Sequence, residues 1–209
     1  MARSPYFWLG LICLIYLPTL FFGVTALDDN IFTGPKLAFL SRWANLPARF
    51  TRDSMLSETA GGFYYRPLLT ASMMWDAHIS GAHLASHHFS NMVLHFAASC
   101  QVFSLFRKIG YKRNAAILAF LFAAHPILVQ AVAWMPGRTD SLAAVFILAA
   151  FNAFLDFTAD QRWTACLRHL SFFALALLSK ELAIVLPALC VLYARLLLPR
   201  TLPPLKKIV

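Results

Sequence analysis

The sequence predicts an all-α integral membrane protein with about six transmembrane helices. Hydrophobic residues make up 60% of the 209 residues and the mean hydropathy is +0.65, whereas soluble domains contain about 45–50% apolar residues. Charged residues are concentrated between the apolar runs rather than within them. Because no polar segment is long enough to fold around a core of its own, we expect residues 1–209 to form a single transmembrane domain.

The first apolar run, residues 6–27, follows Arg3 and carries no charge. This pattern predicts one membrane crossing of about 20 residues. Val24 and Ala26 also have the spacing of a signal-peptidase site, so a cleaved signal peptide is the alternative. A retained anchor is favoured because the run is longer than the usual signal-peptide core of about 7–15 residues.

A long segment of mixed polarity, about 28–83, separates the first crossing from the others. Within it, residues 37–46 and 68–77 have the apolar spacing of helices, and Trp43 and Trp75 are placed like interfacial anchors. We therefore expect an outer loop that carries helices lying along the membrane surface.

The remaining apolar runs predict four to five further crossings, at 87–106, 115–134, 141–155, 170–179 and 182–198. Only Lys180 and Glu181 separate the last two runs, which form either two short helices meeting at the outer face or one broken helix. Counting two gives six crossings with both termini in the cytoplasm. Pro199, Pro203 and Pro204 prevent further helix, which leaves a short basic tail at about 199–209.

The distribution of the formal net charge of +9 indicates how the protein is oriented in the membrane. Eleven of the eighteen basic residues lie on one predicted side, together with only two of the nine acidic residues, Asp156 and Asp160. By the positive-inside rule this side is cytoplasmic, and the charge favours contact with anionic lipid over a nucleic-acid partner. The four cysteines show neither a C-x-x-C pair nor metal-ligand spacing, so we expect buried free thiols.

Several polar or ionisable residues fall at the predicted outer ends of different helices. They are Asp28, Asp29, Tyr65, Arg66, His88, Arg138, Asp140, Lys180 and Glu181. Each has a structural explanation, since Asp28 or Asp29 can cap a helix and the other charges can pair with one another. Their shared depth nevertheless favours a wet cavity. Acid and base together suit a reaction on a lipid-linked phosphate, in which Arg or Lys holds the anion and a carboxylate takes the acceptor proton.

The histidines need a separate argument. His88, Asn91 and His95 lie at i, i+3 and i+7 on one helix face. The two histidines are about 10 Å apart by helix rise, too far to share one metal ion. They either line a cavity or bond neighbouring helices, and both options stay open. His125, before Pro126, is either a hydrogen-bonded core residue or a cavity-lining one.

Taken in order, these residues resemble the membrane part of the transmembrane-and-TPR O-mannosyltransferase-like family, a branch of the GT-C glycosyltransferase superfamily. The matching segments are Leu27-Asp28-Asp29-Asn30, Tyr65-Arg66-Pro67-Leu68, Gly81, His88-x-x-Asn91-x-x-Leu94-His95, Leu121-Phe122-Ala123-Ala124-His125-Pro126, Val132-Ala133-Trp134, Gly137-Arg138-Thr139-Asp140-Ser141-Leu142-Ala143 and Ser179-Lys180-Glu181.

The resemblance implies a GT-C-like fold and protein O-mannosylation, with a sugar, commonly mannose, transferred from a polyprenyl-phosphate carrier to an acceptor on the periplasmic or lumenal face. It implies that Asp28 and Asp29 are catalytic and that they hold a divalent cation, Mg²⁺ or Mn²⁺, where one is used. Donor-phosphate or substrate binding then falls to Arg138, Lys180, Arg66 and Tyr65. The cavity is lined by His88, Asn91, His95, His125, Asp140 and Glu181.

Expected partners are the polyprenyl-phosphate sugar, membrane lipid, and a protein acceptor or partner subunit, with the bacterial inner membrane favoured over the endoplasmic reticulum. Leu128 and Gln130 stand where the family pattern continues with histidine and glutamate, and no TPR repeat follows. The alternative is therefore a non-catalytic module or truncated relative that binds lipid-linked sugar or scaffolds a partner. A transporter built on helices broken near Lys180 is a third option, which the lack of inverted repeats disfavours.

Overall fold

The computed structural model describes residues 4–25, 28–29, 32, 34, 36–51, 64–81 and 83–198, and over these residues the chain is helical without strands, as predicted. The α-helices include α1 (Pro5–Cys13), α2 (Leu37–Leu40), α3 (Pro67–Ser80), α4 (Leu84–Lys108), α5 (Ala115–Ala123), α6 (Val129–Ala133), α7 (Arg138–Asp160), α8 (Trp163–Ser179) and α9 (Leu186–Leu196). Short 3₁₀ helices lie at Leu14–Phe21, Trp43–Asn45, Pro47–Phe50, Pro126–Leu128, Met135–Gly137 and Glu181–Val185.

Two helical stretches in the described part of the chain are long and apolar enough to cross a membrane, α4 and Met135–Asp160, which contains α7. A third candidate is the pair Ala115–Ala123 and Pro126–Ala133, which is bent by 49° at its break. Pro5–Phe21 and Trp163–Ser179 are apolar but shorter. The chain is thus an all-α protein with membrane-spanning helices, while the count of six crossings stays a prediction.

The first helical segment runs antiparallel to α4. Near the beginning of α1, the ring of Tyr6 lies 5.3 Å from that of Phe103, close to the C-terminus of α4. After the segment ends, the ring of Phe22 lies 6.3 Å from that of His88, close to the N-terminus of α4. Asp29, which follows, therefore lies at the end of the bundle where α4 begins.

Helix α7 runs parallel to α4. Near the first turns of both helices, Arg138 Nε donates to Asn91 Oδ1 at 2.7 Å. Near their last turns, Lys108 Nζ lies 2.7 Å from Asp156 Oδ1. The chain between them, α5 and α6, must therefore return from one end of the bundle to the other.

Helix α8 runs antiparallel to α7. Thr139, in the first turn of α7, donates to the backbone oxygen of Ser179 at the end of α8, at 2.9 Å. At the opposite ends, Arg168 Nη2 donates to Asp156 Oδ2 at 3.3 Å. Tyr193 of α9 packs against the C-terminal half of α7, so α9 returns in the direction of α7. These directions agree with the predicted order of crossings.

The bundle therefore has two chemically different ends. The basic end, where α4 and α7 finish, carries Arg107, Lys108, Lys112, Arg113, Asp156, Asp160, Arg162, Arg168 and Arg195. The mixed end, where α4 and α7 begin, carries Asp28, Asp29, Lys36, Arg42, Arg49, Arg66, Asp76, Arg138, Asp140, Lys180 and Glu181. The side of the membrane on which each end lies stays a prediction.

Two breaks shape the mixed end. The predicted crossing at 115–134 is not one helix, because the chain leaves α-helical geometry at His125 (φ −69°, ψ 125°) before Pro126. Proline lacks an N–H and disfavours α-helical geometry at the residue before it. A second break falls at Lys180 (φ −159°, ψ 136°), so α8 and α9 are separate helices.

A hydrophobic cluster at the mixed end packs the segment after the first crossing onto α3. Its buried members are Phe32, Leu40, Leu69, Met73, Met74, Ala77 and Met135. The helices expected at 37–46 and 68–77 are found as α2 with its following 3₁₀ turn and as α3, although their place on a membrane surface stays a prediction. All four cysteines are free thiols; Cys13 and Cys190 are buried, as predicted, whereas Cys100 and Cys166 are only partly buried.

Candidate functional site

Asp29 is buried at the mixed end, with only 3% of its surface exposed. Its Oδ2 accepts two hydrogen bonds from Thr25, one from the backbone N–H at 2.9 Å and one from the hydroxyl at 2.7 Å. These bonds orient the carboxylate on the segment that leaves the first crossing. Asp28, by contrast, is only half-buried. Of the predicted catalytic pair, the geometry favours Asp29.

His88, on α4, lies at the same end of the bundle as this carboxylate. It is 2% exposed and lies within electrostatic range of Asp29. Neither of its ring nitrogens has a hydrogen-bond partner in the part of the chain that the structure describes. Since buried polar groups are nearly always hydrogen-bonded, a buried ring with no partner among the described residues is a candidate contact for a substrate hydroxyl or phosphate oxygen.

A buried ion pair, which the sequence analysis missed, lies in the same region. Arg138 Nη2 is 2.5 Å from Asp76 Oδ2, and the two side chains are 0% and 3% exposed. His87 Nδ1 lies 3.2 Å from the same oxygen, and Ser90 donates to the other at 2.7 Å. Burial raises the pKa of Asp76, but His87, Arg138 and Ser90 outweigh it, so the pKa lies below its ordinary value.

Arg138 uses its remaining donors inside the protein as well. Nε donates to Asn91 Oδ1 at 2.7 Å, Nη1 to the backbone oxygen of Ser72 at 3.1 Å and Nη2 to that of His87 at 2.7 Å. A guanidinium with no exposed surface and every nitrogen bonded does not reach a substrate phosphate in this conformation. Its position favours a structural role, the joining of α3, α4 and α7, over the donor-phosphate contact expected from the sequence.

Asn91 and His95 also bond neighbouring segments. Asn91 is fully buried, and its Nδ2 donates to the backbone oxygens of Val132 and Trp134, both at 3.1 Å. His95 Nε2 lies 2.9 Å from the backbone oxygen of Ala123. Of the two options that the sequence left open, bonding between helices therefore describes these two residues, and only His88 on this face keeps its ring nitrogens unpartnered among the described residues.

Two partly exposed ion pairs lie at the mixed end. Arg66 Nε donates to Glu181 Oε2 at 2.9 Å, and a second contact joins Arg66 Nη2 to Oε1. Lys180 Nζ pairs with Asp140 Oδ1. The hydrogen bond from Arg66 lowers the pKa of Glu181, and this effect exceeds that of burial, which raises it. Because exposed pairs are worth only about 0–1 kcal/mol, either cation can exchange its carboxylate for a phosphate.

Two further predicted residues lie outside the buried group. Tyr65 is half-exposed, and its hydroxyl donates to the backbone oxygen of Phe50 at 3.1 Å. His125 is exposed at the break between α5 and α6, where its Nδ1 accepts a hydrogen bond from the backbone N–H of Ile127 at 3.3 Å. His125 therefore caps a turn, and the structure does not bring it together with Asp29 and His88.

A metal ion finds few ligands here. Within the described ranges, no group of three or more His, Cys, Asp or Glu side chains is placed to hold one. Asp28 and Asp29 alone form a sparse donor set, and Mg²⁺ held by one or two carboxylates depends on phosphate oxygens for the rest of its shell.

The chain is similar to known proteins over most of its length. Residues 66–207 match the family described as dolichyl-phosphate-mannose-protein mannosyltransferase. The mouse protein O-mannosyl-transferase TMTC3 is 32% identical over 141 residues, which are 66% of this chain and 15% of that protein. Human TMTC2 is 31% identical over 144 residues, 66% of this chain and 17% of that protein.

A further relative is the Drosophila melanogaster protein O-mannosyl-transferase Tmtc1, 31% identical over 127 residues, 60% of this chain and 15% of that protein. The chain thus spans only 15–17% of the length of these curated relatives. No solved protein structure gives a significant match.

Proposed function

Because the chain belongs to the dolichyl-phosphate-mannose-protein mannosyltransferase family, we propose that it is a membrane glycosyltransferase, or the donor-side part of one. It transfers mannose from a polyprenyl-phosphate carrier to a protein acceptor at the mixed end. The observation that carries this proposal is the buried carboxylate of Asp29, which Thr25 orients and which lies within electrostatic range of His88, whose ring nitrogens have no hydrogen-bond partner among the described residues.

In the proposed reaction, Asp29 accepts the proton of the acceptor hydroxyl while that oxygen bonds to the anomeric carbon of the sugar. The bond from that carbon to the phosphate oxygen breaks, and the lipid phosphate leaves with the electron pair, so the configuration inverts. The two hydrogen bonds from Thr25 hold Asp29 Oδ2 in place. A positioned general base of this kind contributes about 10²–10⁴-fold to the rate.

The leaving phosphate needs a cation, and Lys180 and Arg66 are better placed than Arg138. Both are partly exposed, at 22% and 13% of the side chain, whereas Arg138 is fully buried. In the absence of donor, Lys180 is paired with Asp140 and Arg66 is paired with Glu181. Donor binding then exchanges a carboxylate for a phosphate, and the arrangement supports Lys180 and Arg66 as the donor-phosphate residues.

We propose that the chain is an integral membrane protein and that its mixed end faces the periplasm or lumen. The choice between a bacterial inner membrane and the endoplasmic reticulum stays a prediction, as does the use of Mg²⁺ or Mn²⁺ at Asp28 and Asp29. Addition of EDTA to the transfer assay tests whether a metal is required. If it is, chelation of the cation abolishes transfer, and addition of excess Mg²⁺ or Mn²⁺ restores it.

The proposal is tested by transfer of radiolabelled mannose from polyprenyl-phosphate mannose to a peptide containing serine and threonine, catalysed by the chain reconstituted in liposomes. We expect Asp29→Asn to lower the rate about 100-fold or more. Asp28→Asn removes the same charge from the neighbouring, half-buried residue and serves as the matched comparison, with a smaller loss of activity than Asp29→Asn. Unchanged transfer by Asp29→Asn overturns the role of this carboxylate.

Donor binding separates the enzyme from a non-catalytic module. Lys180→Gln should weaken binding of polyprenyl-phosphate mannose about tenfold, since a hydrogen bond to a charged group is worth about 1.5–3 kcal/mol. Asp140→Asn frees Lys180 and should leave binding equal or tighter. Tight binding by the wild-type chain without any transfer would favour the non-catalytic alternative, which Leu128 and Gln130 support.

A further inference from the structure

A second polar cleft lies at the basic end, the end opposite to the candidate site. Its volume is about 370 Å³, and it is lined by Tyr6, Ser104, Arg107, Lys108 and Lys112. The lining thus offers three cations and two hydroxyls, and it contains no carboxylate. A cleft with donors and no anionic acceptor suits a bound anion.

The positive charge in this cleft is only partly balanced. Lys108 Nζ lies 2.7 Å from Asp156 Oδ1 and donates to the backbone oxygen of Asn152 at 3.1 Å, so its charge is matched. Arg107 and Lys112 have no carboxylate partner among the described residues. Two cations in the cleft are therefore available to a ligand.

The walls of the cleft are held in place by Phe103, which is 4% exposed. The guanidinium of Arg107 lies 5.6 Å from the centre of this ring, and the ring of Tyr6 packs edge-on against it at 5.3 Å. Phe103 therefore holds the guanidinium of Arg107, on α4, and the phenol ring of Tyr6, on α1, next to the same cleft. Less conformational freedom is lost when a ligand binds to groups that are already ordered.

The surroundings favour a lipid over a soluble anion. Next to Tyr6, α1 exposes the large apolar side chains of Phe7, Trp8 and Leu11, at 44%, 44% and 46%. A phospholipid whose phosphate enters the cleft can lay its acyl chains along this face. We propose that the cleft is a binding site for the headgroup phosphate of an anionic phospholipid, held by Arg107 and Lys112 and by the hydroxyls of Tyr6 and Ser104.

The test measures binding of phosphatidylglycerol to the purified chain in detergent by native mass spectrometry, with phosphatidylcholine as the neutral comparison. The variant Arg107→Gln/Lys112→Gln removes both unpaired cations from the cleft. Arg113→Gln/Arg162→Gln removes two cations from the same end of the bundle, outside the lining, and is the matched control. Loss of a direct hydrogen bond between a cation and a phosphate corresponds to about tenfold or more in affinity, so we expect the apparent Kd to rise about tenfold or more in the cleft variant.

We expect less than about a twofold change in the control, because charges outside the cleft act on the lipid only through screened solvent. An equal loss in both double variants, or equal binding of the two lipids by the wild-type chain, overturns the proposal. Glycerol 3-phosphate is added in a separate arm, and full displacement of the lipid at millimolar concentration would assign the cleft to a soluble anion instead. If the cleft double variant does not fold, Lys112→Gln against Arg113→Gln gives the same comparison with one exposed charge each.

Discussion

At the scale of single residues, the largest fully buried side chain among the described residues is that of Arg138, a charged group. Taking a charge out of water costs several kcal/mol, and in this case Asp76 supplies the opposite charge. Asn91, Ser72 and His87 then satisfy the remaining donors of the guanidinium. The pair is therefore tolerated only as a complete network, because removal of one member leaves an uncompensated charge in the core.

We predict that Arg138→Met lowers the free energy of unfolding by about 3–5 kcal/mol, the usual effect of breaking a buried ion pair. The double variant Asp76→Asn/Arg138→Met carries neither charge and should lose less stability than the sum of the two single variants. Denaturant-induced unfolding in detergent measures all three. Additive losses would mean that the two residues act independently, contrary to the contact at 2.5 Å.

The same network shows where the sequence was informative and where it was not. The sequence predicts that Arg138 and Asp29 lie at the same end of the bundle, because Asp29 follows an outward apolar run and Arg138 precedes an inward one. The structure places both at the mixed end. Asp76 gave no such signal, since it is a lone acid in a segment expected at the membrane surface. Its burial depends on which helices pack together, and that is tertiary information.

At the scale of elements, the entry into α7 depends on Gly137. A Cβ on this residue would overlap the backbone oxygen of Gln130 and lie 3.2 Å from Cα of Ala131. The turn at Met135–Gly137 therefore packs backbone against backbone, which sets where α7 begins and hence where Arg138 points. Gly10 in α1 has more room, since the nearest atom to its Cβ would be Phe96 Cε2 at 3.8 Å.

We predict that Gly137→Ala destabilises the protein by about 1–3 kcal/mol or more, because backbone cannot yield as a side chain does. Gly10→Ala is the matched control and should be neutral or stabilising by up to about 1 kcal/mol, since alanine is the better helix former. Thermal midpoints of the two variants in the same detergent give the comparison. A stable Gly137→Ala protein would show that the turn can open without cost.

The break between α8 and α9 is tied to the beginning of α3 by the exposed pair of Arg66 and Glu181. Since the hydrogen bond from Arg66 lowers the pKa of Glu181 in the folded protein, the pair contributes fully above the pKa of the unfolded chain, about 4.3. The contribution is lost as the pH falls through the folded pKa, where the carboxylate takes up its proton.

We therefore predict that both Glu181→Gln and Arg66→Gln have a shallower loss of stability between pH 5 and pH 3 than the wild-type protein, with an effect at neutral pH of at most about 1 kcal/mol. Thermal midpoints across this pH range are the measurement. Part of the acid dependence should persist in both variants, because the pKa of Asp76 is also lowered. If the thermal midpoint falls equally between pH 5 and pH 3 in all three proteins, this pair makes no contribution to the pH dependence of stability.

Sequence patterns located the helices better than their interruptions. The apolar runs at 87–106 and 141–155 lie within α4 and α7, since continuous apolar composition is a strong signal for a long helix. The run at 115–134 has the same composition, yet Pro126 divides it into two pieces bent by 49°. Proline in a membrane helix can either kink or end it, and the outcome depends on what satisfies the freed backbone groups.

At the scale of the whole molecule, charge divides the bundle into a basic end and a mixed end, and the proposed chemistry belongs to the mixed one. The basic end carries seven cations and two acids in the described residues, whereas the mixed end, with Lys36, Arg42 and Arg49 included, carries six cations and five acids. Cytoplasmic loops carry an excess of Lys and Arg, so the basic end should lie in the cytoplasm. Asp29, Lys180 and Arg66 then face the opposite compartment, where a lipid-linked sugar would be presented.

This orientation predicts which single cysteines react with a membrane-impermeant maleimide in intact cells. In a background with the four native cysteines replaced, Tyr65→Cys at the mixed end should react directly, because the side chain of Tyr65 is 49% exposed. Arg113→Cys, in the exposed connection at the basic end, should react only after the membrane is permeabilised. The cysteine-free background gives the blank. The reverse pattern would place Asp29 in the cytoplasm and require a donor on that face. Reaction of both cysteines in intact cells would mean that the two ends of the bundle do not lie on opposite sides of the membrane, contrary to the orientation inferred from the charges.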